Sequence, residues 1–220
     1  MRHVLFDLDG TLLDSIPLIV ESMRYALSKH FGYAPDDTTL VSGIGTPLDE
    51  QLKEHGRVHL DRPLSPQELT DSRNTYLVHN RKHHDARTEA FPGVPEALKR
   101  LKDIDVRMGI VTSKPQATAL RGLQLCKIDH FFEFVIGYDD VVHPKPHPEP
   151  VLKAASLLNA DPTECLFVGD SPHDILSGRR AKSATAAALW GPFEETELRS
   201  AEPTYLLQYI SEIAPLIGRD

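Results

Sequence analysis

The chain has 220 residues, of which 40% are hydrophobic and 25% are charged, a composition typical of a globular protein with a substantial core. Its net charge of −8 at pH 7 argues against general binding to nucleic acid or to an anionic membrane surface. No apolar run approaches the roughly 18 residues needed to span a bilayer, and nothing before Asp7 resembles a signal peptide. The two cysteines are expected to be buried free thiols, which indicates a reducing compartment. We therefore expect a cytoplasmic protein.

The first 88 residues combine one short strand with a long helical segment. The stretch "HVLFD" at residues 3–7 predicts a buried strand. Helices are predicted at 16–32, 47–55 and 65–86, the last with Ser65 as N-cap, Pro66 at the first helical position and Glu68 completing a capping box. No strand is predicted between 15 and 88. We interpret residues 15–88 as an all-helical cap domain inserted after the first strand.

From about residue 91 the pattern alternates regularly between helices and strands. Helices are predicted at 94–104, 115–125, 149–159 and 173–184, and strands at 106–112, 132–137, 165–170 and 185–191. Such alternation implies βαβ units with a parallel sheet and right-handed crossovers. The predicted fold class is therefore α/β, with a doubly wound, Rossmann-like core formed by residues 1–14 and 89–220.

Polar side chains stand where the predicted strands end. Each is ordinary by itself, since an Asp-x-Asp-Gly segment can form a turn, hydroxyls often cap helices, and most lysines are solvated. The carboxyl ends of parallel strands meet at one edge of an open sheet, where ligands bind. The topology would therefore gather Asp7, Asp9, Thr112, Ser113, Lys145, Asp170 and Asp174 at a single place.

This combination of groups suits a phosphoryl group. Mg²⁺ prefers oxygen ligands and is commonly held by one or two carboxylates together with substrate phosphate. Asp7 and Asp170 are the candidate carboxylates. Lys145 would offset the negative charge of the phosphate, while Thr112 and nearby N–H groups would hold its oxygens.

The motifs resemble those of a known family. "DLDGTL" at residues 7–12, Thr112, Lys145 and "GDSPHD" at 169–174 resemble the four motifs of the haloacid dehalogenase-like hydrolases, in the expected order over nearly the whole chain. The insertion just after the first motif resembles the helical cap of the phosphoglycolate phosphatase-like branch. The resemblance therefore implies a Mg²⁺-dependent phosphatase with the predicted fold.

The resemblance also implies individual roles. Asp7 would attack phosphorus and become an aspartyl phosphate. Asp9 would protonate the leaving oxygen and then activate water, while its backbone carbonyl contacts Mg²⁺. Asp170 would complete the metal ligands, and Asp174 would orient Lys145 or a metal-bound water. An aspartate at position 9 favours phosphate transfer over the dehalogenase and phosphonatase chemistries of the same family.

The cap offers candidates for substrate contact. In "VSGIGTPLDEQL", Gly43 and Gly45 permit close backbone approach, and Thr46 is the expected N-cap of the next helix. We expect Gly43, Gly45 and Thr46 to contact the leaving group, although an ordinary loop between cap helices explains the same pattern. His55 and His59, spaced i, i+4, and the run 81–84 are expected to lie on solvated helix faces.

The substrate is left open at the level of a small phosphorylated metabolite. Phosphoglycolate, inorganic pyrophosphate, a nucleotide and a sugar phosphate all fit the motifs, and a monomer and a homodimer are both compatible with them. A phosphosugar mutase of the same family is a less favoured alternative. A receiver-like phosphoacceptor switch is disfavoured by Asp9 and by the helical insertion.

Overall fold

The computed structural model describes residues 2–217. The chain divides into two compact units, which are described separately. A core unit consists of Met1–Asp14 and Glu89–Asp220, and a helical unit consists of Ser15–Thr88.

The helical unit is built from four helices and contains no strand between residues 15 and 88. The helices are α1 (Ile16–Phe31), α2 (Asp37–Val41), α3 (Leu48–Leu60) and α4 (Pro66–Arg87). The capping box at the start of α4 is confirmed, because the Ser65 hydroxyl accepts the Glu68 N–H at 3.3 Å and the Glu68 carboxylate accepts the Ser65 N–H at 2.8 Å. Helix α2 was not predicted, since five residues are too few to show helical periodicity.

Two histidines of the helical unit lie where the sequence did not place them. His55 and His84 are both buried, so the prediction of solvated faces is wrong at these two positions. Burial lowers the pKa of His55. The ring of His59 stacks on the ring of Tyr33, with centroids 4.5 Å apart. His59 therefore packs against another side chain of the helical unit. In the run 81–84 the helix turns His84 inward, while Arg81 and Lys82 stay exposed.

The core unit contains a six-stranded sheet and a small two-stranded ribbon. The strands are β1 (His3–Phe6), β2 (Leu13–Asp14), β3 (Glu89–Ala90), β4 (Arg107–Val111), β5 (Val135–Ile136), β6 (Cys165–Gly169), β7 (Ala184–Ala188) and β8 (Tyr205–Leu207). The large sheet has the order β5-β4-β1-β6-β7-β8, and all its pairings are parallel. Strands β2 and β3 pair antiparallel.

Both faces of the large sheet are buried, as its nearly continuous apolar strands require. The described part of this unit has five α-helices, besides short 3-10 turns: α5 (Val94–Asp103), α6 (Gln116–Leu125), α7 (Glu149–Leu157), α8 (Pro172–Arg180) and α9 (Glu195–Ser200). Val4 and Phe6 pack on one face with residues of α5 and α6, and Leu5 packs on the other with residues of α7. Burying a side chain such as Phe6 contributes about 1.5–3 kcal/mol. Alternate residues of β1 therefore anchor two core layers.

The predicted α/β class and the doubly wound parallel core are confirmed. Several details differ. The strand predicted at 132–137 is reduced to β5, Val135–Ile136. Strands β2, β3 and β8 and helix α9 were not predicted, because elements of two to six residues show too little periodicity. Both cysteines are free thiols, as predicted; Cys165 is buried and Cys126 only partly so. Among residues 2–217, every helix is too short or too polar to cross a membrane.

Candidate active site

The loops that follow β1, β4 and β6 lie side by side at the carboxyl edge of the sheet. Asp7 follows β1, Thr112 follows β4 and Asp170 follows β6. The chain reaches β5 at one edge and then returns to place β6 beside β1, so the strand order reverses at this point. The Asp7 N–H still donates to the Val168 carbonyl at 2.9 Å, which holds the start of the loop in register. The topology therefore brings the predicted motifs together.

Lys145 lies between two carboxylates in the interior of the core unit. Its Nζ donates to Asp7 Oδ1 at 2.9 Å and to Asp174 Oδ1 at 2.6 Å. It also contacts the Val111 carbonyl oxygen at 3.3 Å. Burial acts to lower the pKa of Lys145, but the Asp174 and Asp7 charges outweigh it and hold the pKa above its ordinary value. The lysine therefore carries a fixed positive charge beside Asp7.

Asp174 is held by the first turn of α8. Ser171 caps this helix, and Asp174 Oδ2 accepts both the Ser171 N–H at 3.0 Å and its hydroxyl at 2.6 Å. The other oxygen, Oδ1, is thereby directed to Lys145. A capping box thus orients a wholly buried carboxylate.

Three buried carboxylates form a cluster with the chemistry of a metal site. Oxygens of Asp7, Asp170 and Asp174 all lie within 4.8 Å of one another. Burial raises the pKa of Asp7 to about 7, against the lowering effect of Lys145. Burial, and then the charge of Asp7, raise the pKa of Asp170 well above its ordinary value. A cation placed among them would relieve this repulsion.

Asp170 also leaves one oxygen available for such a cation. Its Oδ1 accepts the Thr11 hydroxyl at 2.6 Å, whereas its buried Oδ2 has no hydrogen-bond partner among the described residues. Gly10, with φ of 85°, passes so close that an added Cβ would lie 2.4 Å from this oxygen. The glycine therefore keeps a cradle open beside an unsatisfied carboxylate oxygen, and the residues present fit a divalent ion.

The second aspartate of the first motif has a lysine of its own. Lys114 Nζ lies 2.6 Å from Asp9 Oδ1, and both side chains are mostly buried, at 12% and 13% exposure. The Lys114 N–H donates to Thr112 Oγ1 at 3.2 Å. Ser113, the residue between these two in the sequence, is partly buried. Sequence reasoning missed Lys114 and the role of Thr11. Their proximity to the motifs was a usable signal, because both stand within two residues of predicted site residues.

The predicted cap residues lie in the loop between α2 and α3. Thr46 is not the N-cap of α3; Pro47 occupies that position, and the Thr46 hydroxyl donates to the Gly43 carbonyl at 2.7 Å. The Gly43 N–H donates to the Leu40 carbonyl and the Thr46 N–H to the Gly43 carbonyl, so neither group is a free donor. Gly45 does adopt a positive φ of 94°. Substrate contact by this loop stays a prediction.

Comparison with known proteins identifies the family. The profile of the haloacid dehalogenase-like hydrolases matches residues 4–188. The chain therefore belongs to the haloacid dehalogenase-like hydrolase family, as its motifs predicted. The match confirms the predicted enzyme class, a phosphoric ester hydrolase of this family.

The similar proteins extend over nearly the full chain. Pyrophosphatase PpaX of Oceanobacillus iheyensis is 37% identical over 218 residues, which is 99% of this chain and 97% of the relative. Pyrophosphatase PpaX of Anoxybacillus flavithermus is 36% identical with the same coverage. A crystal structure of a hydrolase from Pseudomonas syringae superposes with a TM-score of 0.87 at 26% identity, covering 98% of this chain and 97% of that one.

Proposed function

We propose that this enzyme is a Mg²⁺-dependent phosphatase that transfers a phosphoryl group from a small phosphorylated metabolite to Asp7 and then to water. The observation that carries the proposal is the buried Lys145, 2.9 Å from Asp7 and 2.6 Å from Asp174. Both carboxylates cluster with Asp170, whose Oδ2 has no hydrogen-bond partner in the described part of the chain. This arrangement supplies a nucleophile, a fixed positive charge and a cation cradle within one small volume.

The first step forms a bond between an Asp7 carboxylate oxygen and phosphorus as the bond from phosphorus to the leaving oxygen breaks. Asp9 donates a proton to that oxygen, a contribution of about 10²–10⁴-fold in such reactions. Lys145 and the Thr112 hydroxyl would bind the phosphoryl oxygens. In the second step Asp9 takes a proton from water as the water oxygen bonds to phosphorus. The bond from phosphorus to the Asp7 oxygen breaks, which releases inorganic phosphate and restores the Asp7 carboxylate.

The metal would be held by the side chains of Asp7 and Asp170 and by the backbone carbonyl of Asp9. When bound, Mg²⁺ neutralises the negative charge of the phosphoryl group and of the carboxylates. Asp174 contributes by fixing Lys145 through the 2.6 Å contact. This assignment keeps Asp174 as an orienting residue, although its oxygens lie in the same carboxylate cluster.

Inorganic pyrophosphate is the first candidate substrate. Two proteins that are 36% and 37% identical over 99% of this chain are named pyrophosphatases, which supports this choice. Phosphoglycolate, the substrate expected from the resemblance to that branch of the family, is the second candidate. The helical unit, Ser15–Thr88, would act as the cap that contributes specificity. The two free thiols are consistent with the proposed cytoplasmic site of action.

The test is hydrolysis of p-nitrophenyl phosphate and pyrophosphate with and without Mg²⁺. We expect release of product only with the metal, and loss of turnover to background in Asp7→Asn. Asp103→Asn is a suitable control, because this residue is exposed on α5 and pairs with Lys99. A phosphorylated protein that persists without turnover would instead support a phosphoacceptor switch, and transfer of phosphate between two sugar hydroxyls would support a mutase.

A further inference from the structure

The site contains two lysines that contact different carboxylates. Lys145 is almost wholly buried and contacts Asp7 and Asp174. Lys114 contacts Asp9 at 2.6 Å and is 12% exposed. The chemistry proposed above uses Lys145 at the attacking carboxylate, and it assigns nothing to Lys114.

The position of Lys114 follows from that of Asp9. An acid that protonates the leaving oxygen must come within about 2.6–3.2 Å of it. Lys114 Nζ lies 2.6 Å from Asp9 Oδ1. If Oδ1 is the oxygen that carries the proton, Lys114 Nζ comes within about 6 Å of the leaving oxygen. A charged group bonded next to the leaving oxygen extends into the same region. Lys114 is therefore close to whatever the phosphoryl group leaves behind.

The backbone of Lys114 is anchored by hydrogen bonds, while its ammonium group stands at the end of a flexible stem. Its N–H donates to Thr112 Oγ1 at 3.2 Å, and its carbonyl accepts the Tyr138 N–H at 3.2 Å. These bonds fix the residue just beyond β4, and a four-carbon stem carries the ammonium group. The ammonium group can thus shift from Asp9 to a second anion without movement of the loop.

The partial burial of this pair makes its charge valuable. Exposed pairs contribute little because water screens them, as at Lys99 and Asp103, where the side chains are 69% and 58% exposed. The side chains of Lys114 and Asp9 are only 12% and 13% exposed. Water therefore screens the attraction between the Lys114 ammonium group and a bound anion less than it would at an exposed pair. A neutral leaving group would add no second anion, and the ammonium group would keep only its contact with Asp9.

We propose that Lys114 is a specificity-determining residue that binds a negative charge on the leaving group. It would select substrates in which a second phosphoryl group or a carboxylate lies next to the scissile phosphate. This inference rests on the proposed function and assigns the substrate class of the same site. A hydrogen bond to a charged group corresponds to about 10- to 100-fold in kcat/KM.

A matched pair of substrates tests the proposal. Phosphoglycolate and its neutral amide differ by one charge at nearly equal size, and kcat/KM is measured for both with Mg²⁺. We expect the ratio of the two values to fall about 10- to 100-fold in Lys114→Met and to stay near the wild-type value in Lys114→Arg. Pyrophosphate and p-nitrophenyl phosphate form a second pair, for which the same change in ratio is expected. Lys99→Met is the control variant, because it removes an exposed lysine of α5 and should leave both ratios unchanged.

The outcomes separate the two proposals. A ratio that is unchanged in Lys114→Met overturns the inference, because a lysine that merely positions Asp9 lowers both substrates of a pair alike. Should Lys114→Met fail to fold, as judged by its urea transition, Lys114→Gln removes the charge and keeps a polar donor on a shorter stem, and the same ratio decides. If the wild-type enzyme shows no Mg²⁺-dependent activity on any of the four compounds, the proposed function falls and the inference falls with it.

Discussion

Gly10→Ala is the sharpest test of the cation cradle. Gly10 has φ of 85°, and a Cβ built there would lie 2.4 Å from Asp170 Oδ2 and 2.7 Å from its Cγ. Ordinary contact begins near 3.4 Å, so the carboxylate must retreat by about 1 Å. A displacement of about 1 Å at a reacting site can cost about 10²-fold in rate. We expect kcat/KM to fall by about that factor.

The same substitution should also weaken metal binding and stability. The Mg²⁺ concentration that gives half-maximal activity should rise about 10- to 100-fold, the range seen when the groups supporting a metal are disturbed. Backbone strain at a positive φ contributes about 1–2 kcal/mol of destabilisation. Magnesium titration of p-nitrophenyl phosphate hydrolysis gives the first quantity, and urea unfolding gives the second.

Gly32→Ala is the matched control. Gly32 has φ of 65° and no atom within 4 Å of an added Cβ, so it reports backbone strain without a clash. It should lose about 1–2 kcal/mol of stability and keep its Mg²⁺ dependence. If Gly10→Ala kept the wild-type Mg²⁺ dependence as well, Asp170 would not be a metal ligand in the way we propose.

Four further results are expected. Stabilisation by Mg²⁺, measured as a rise in Tm, should be larger at pH 8 than at pH 6, because the pKa of Asp7 is raised to about 7 and the ion binds the deprotonated form; an equal rise at both pH values would contradict this. Without metal, the raised pKa means that the folded state holds the Asp7 proton more tightly than the unfolded chain, so stability should fall as pH rises from 3.8 to about 7. Asp7→Asn should flatten this part of the curve in urea titrations, and a slope unchanged from wild type would refute the assignment. Asp174→Ala removes a partner of the buried Lys145 and should cost about 3–5 kcal/mol, with less lost in Asp174→Asn. Ser65→Ala should destabilise the helical unit by about 1 kcal/mol, as measured by hydrogen exchange in α4. It should leave the rate of p-nitrophenyl phosphate hydrolysis unchanged.

The active site of this enzyme illustrates how charge and topology cooperate. Four acids would repel one another in the same small volume, and burial increases that cost. Lys145 neutralises part of it at Asp7 and Asp174, Lys114 does so at Asp9, and Asp170 keeps an oxygen without a partner among the described residues. The remaining negative charge is what would attract a divalent cation and, through it, a phosphate.

Much of the fold was readable from local patterns in the sequence. Apolar strands such as "HVLF" and "CLFVG" alternate with amphipathic helices, and this alternation alone predicts a parallel sheet with both faces covered. The order of polar residues at the strand ends then predicts one site, because carboxyl ends of parallel strands share an edge. Short elements were not predicted, namely α2, α9, β8 and the β2–β3 ribbon, since two to six residues carry too little periodicity.

The sequence by itself determined which charged groups the enzyme brings to its strand ends, because residue type and strand position are local properties of the chain. Only the tertiary structure decided how those groups pair. The contact of Lys114 with Asp9 spans 105 positions, and that of Thr11 with Asp170 spans 159. It also turned His55 and His84 inward and used the loop at Gly43 and Thr46 for its own hydrogen bonds. Pairing across such separations depends on side-chain directions and burial, which follow from packing of the whole unit and leave no periodic signal in the chain.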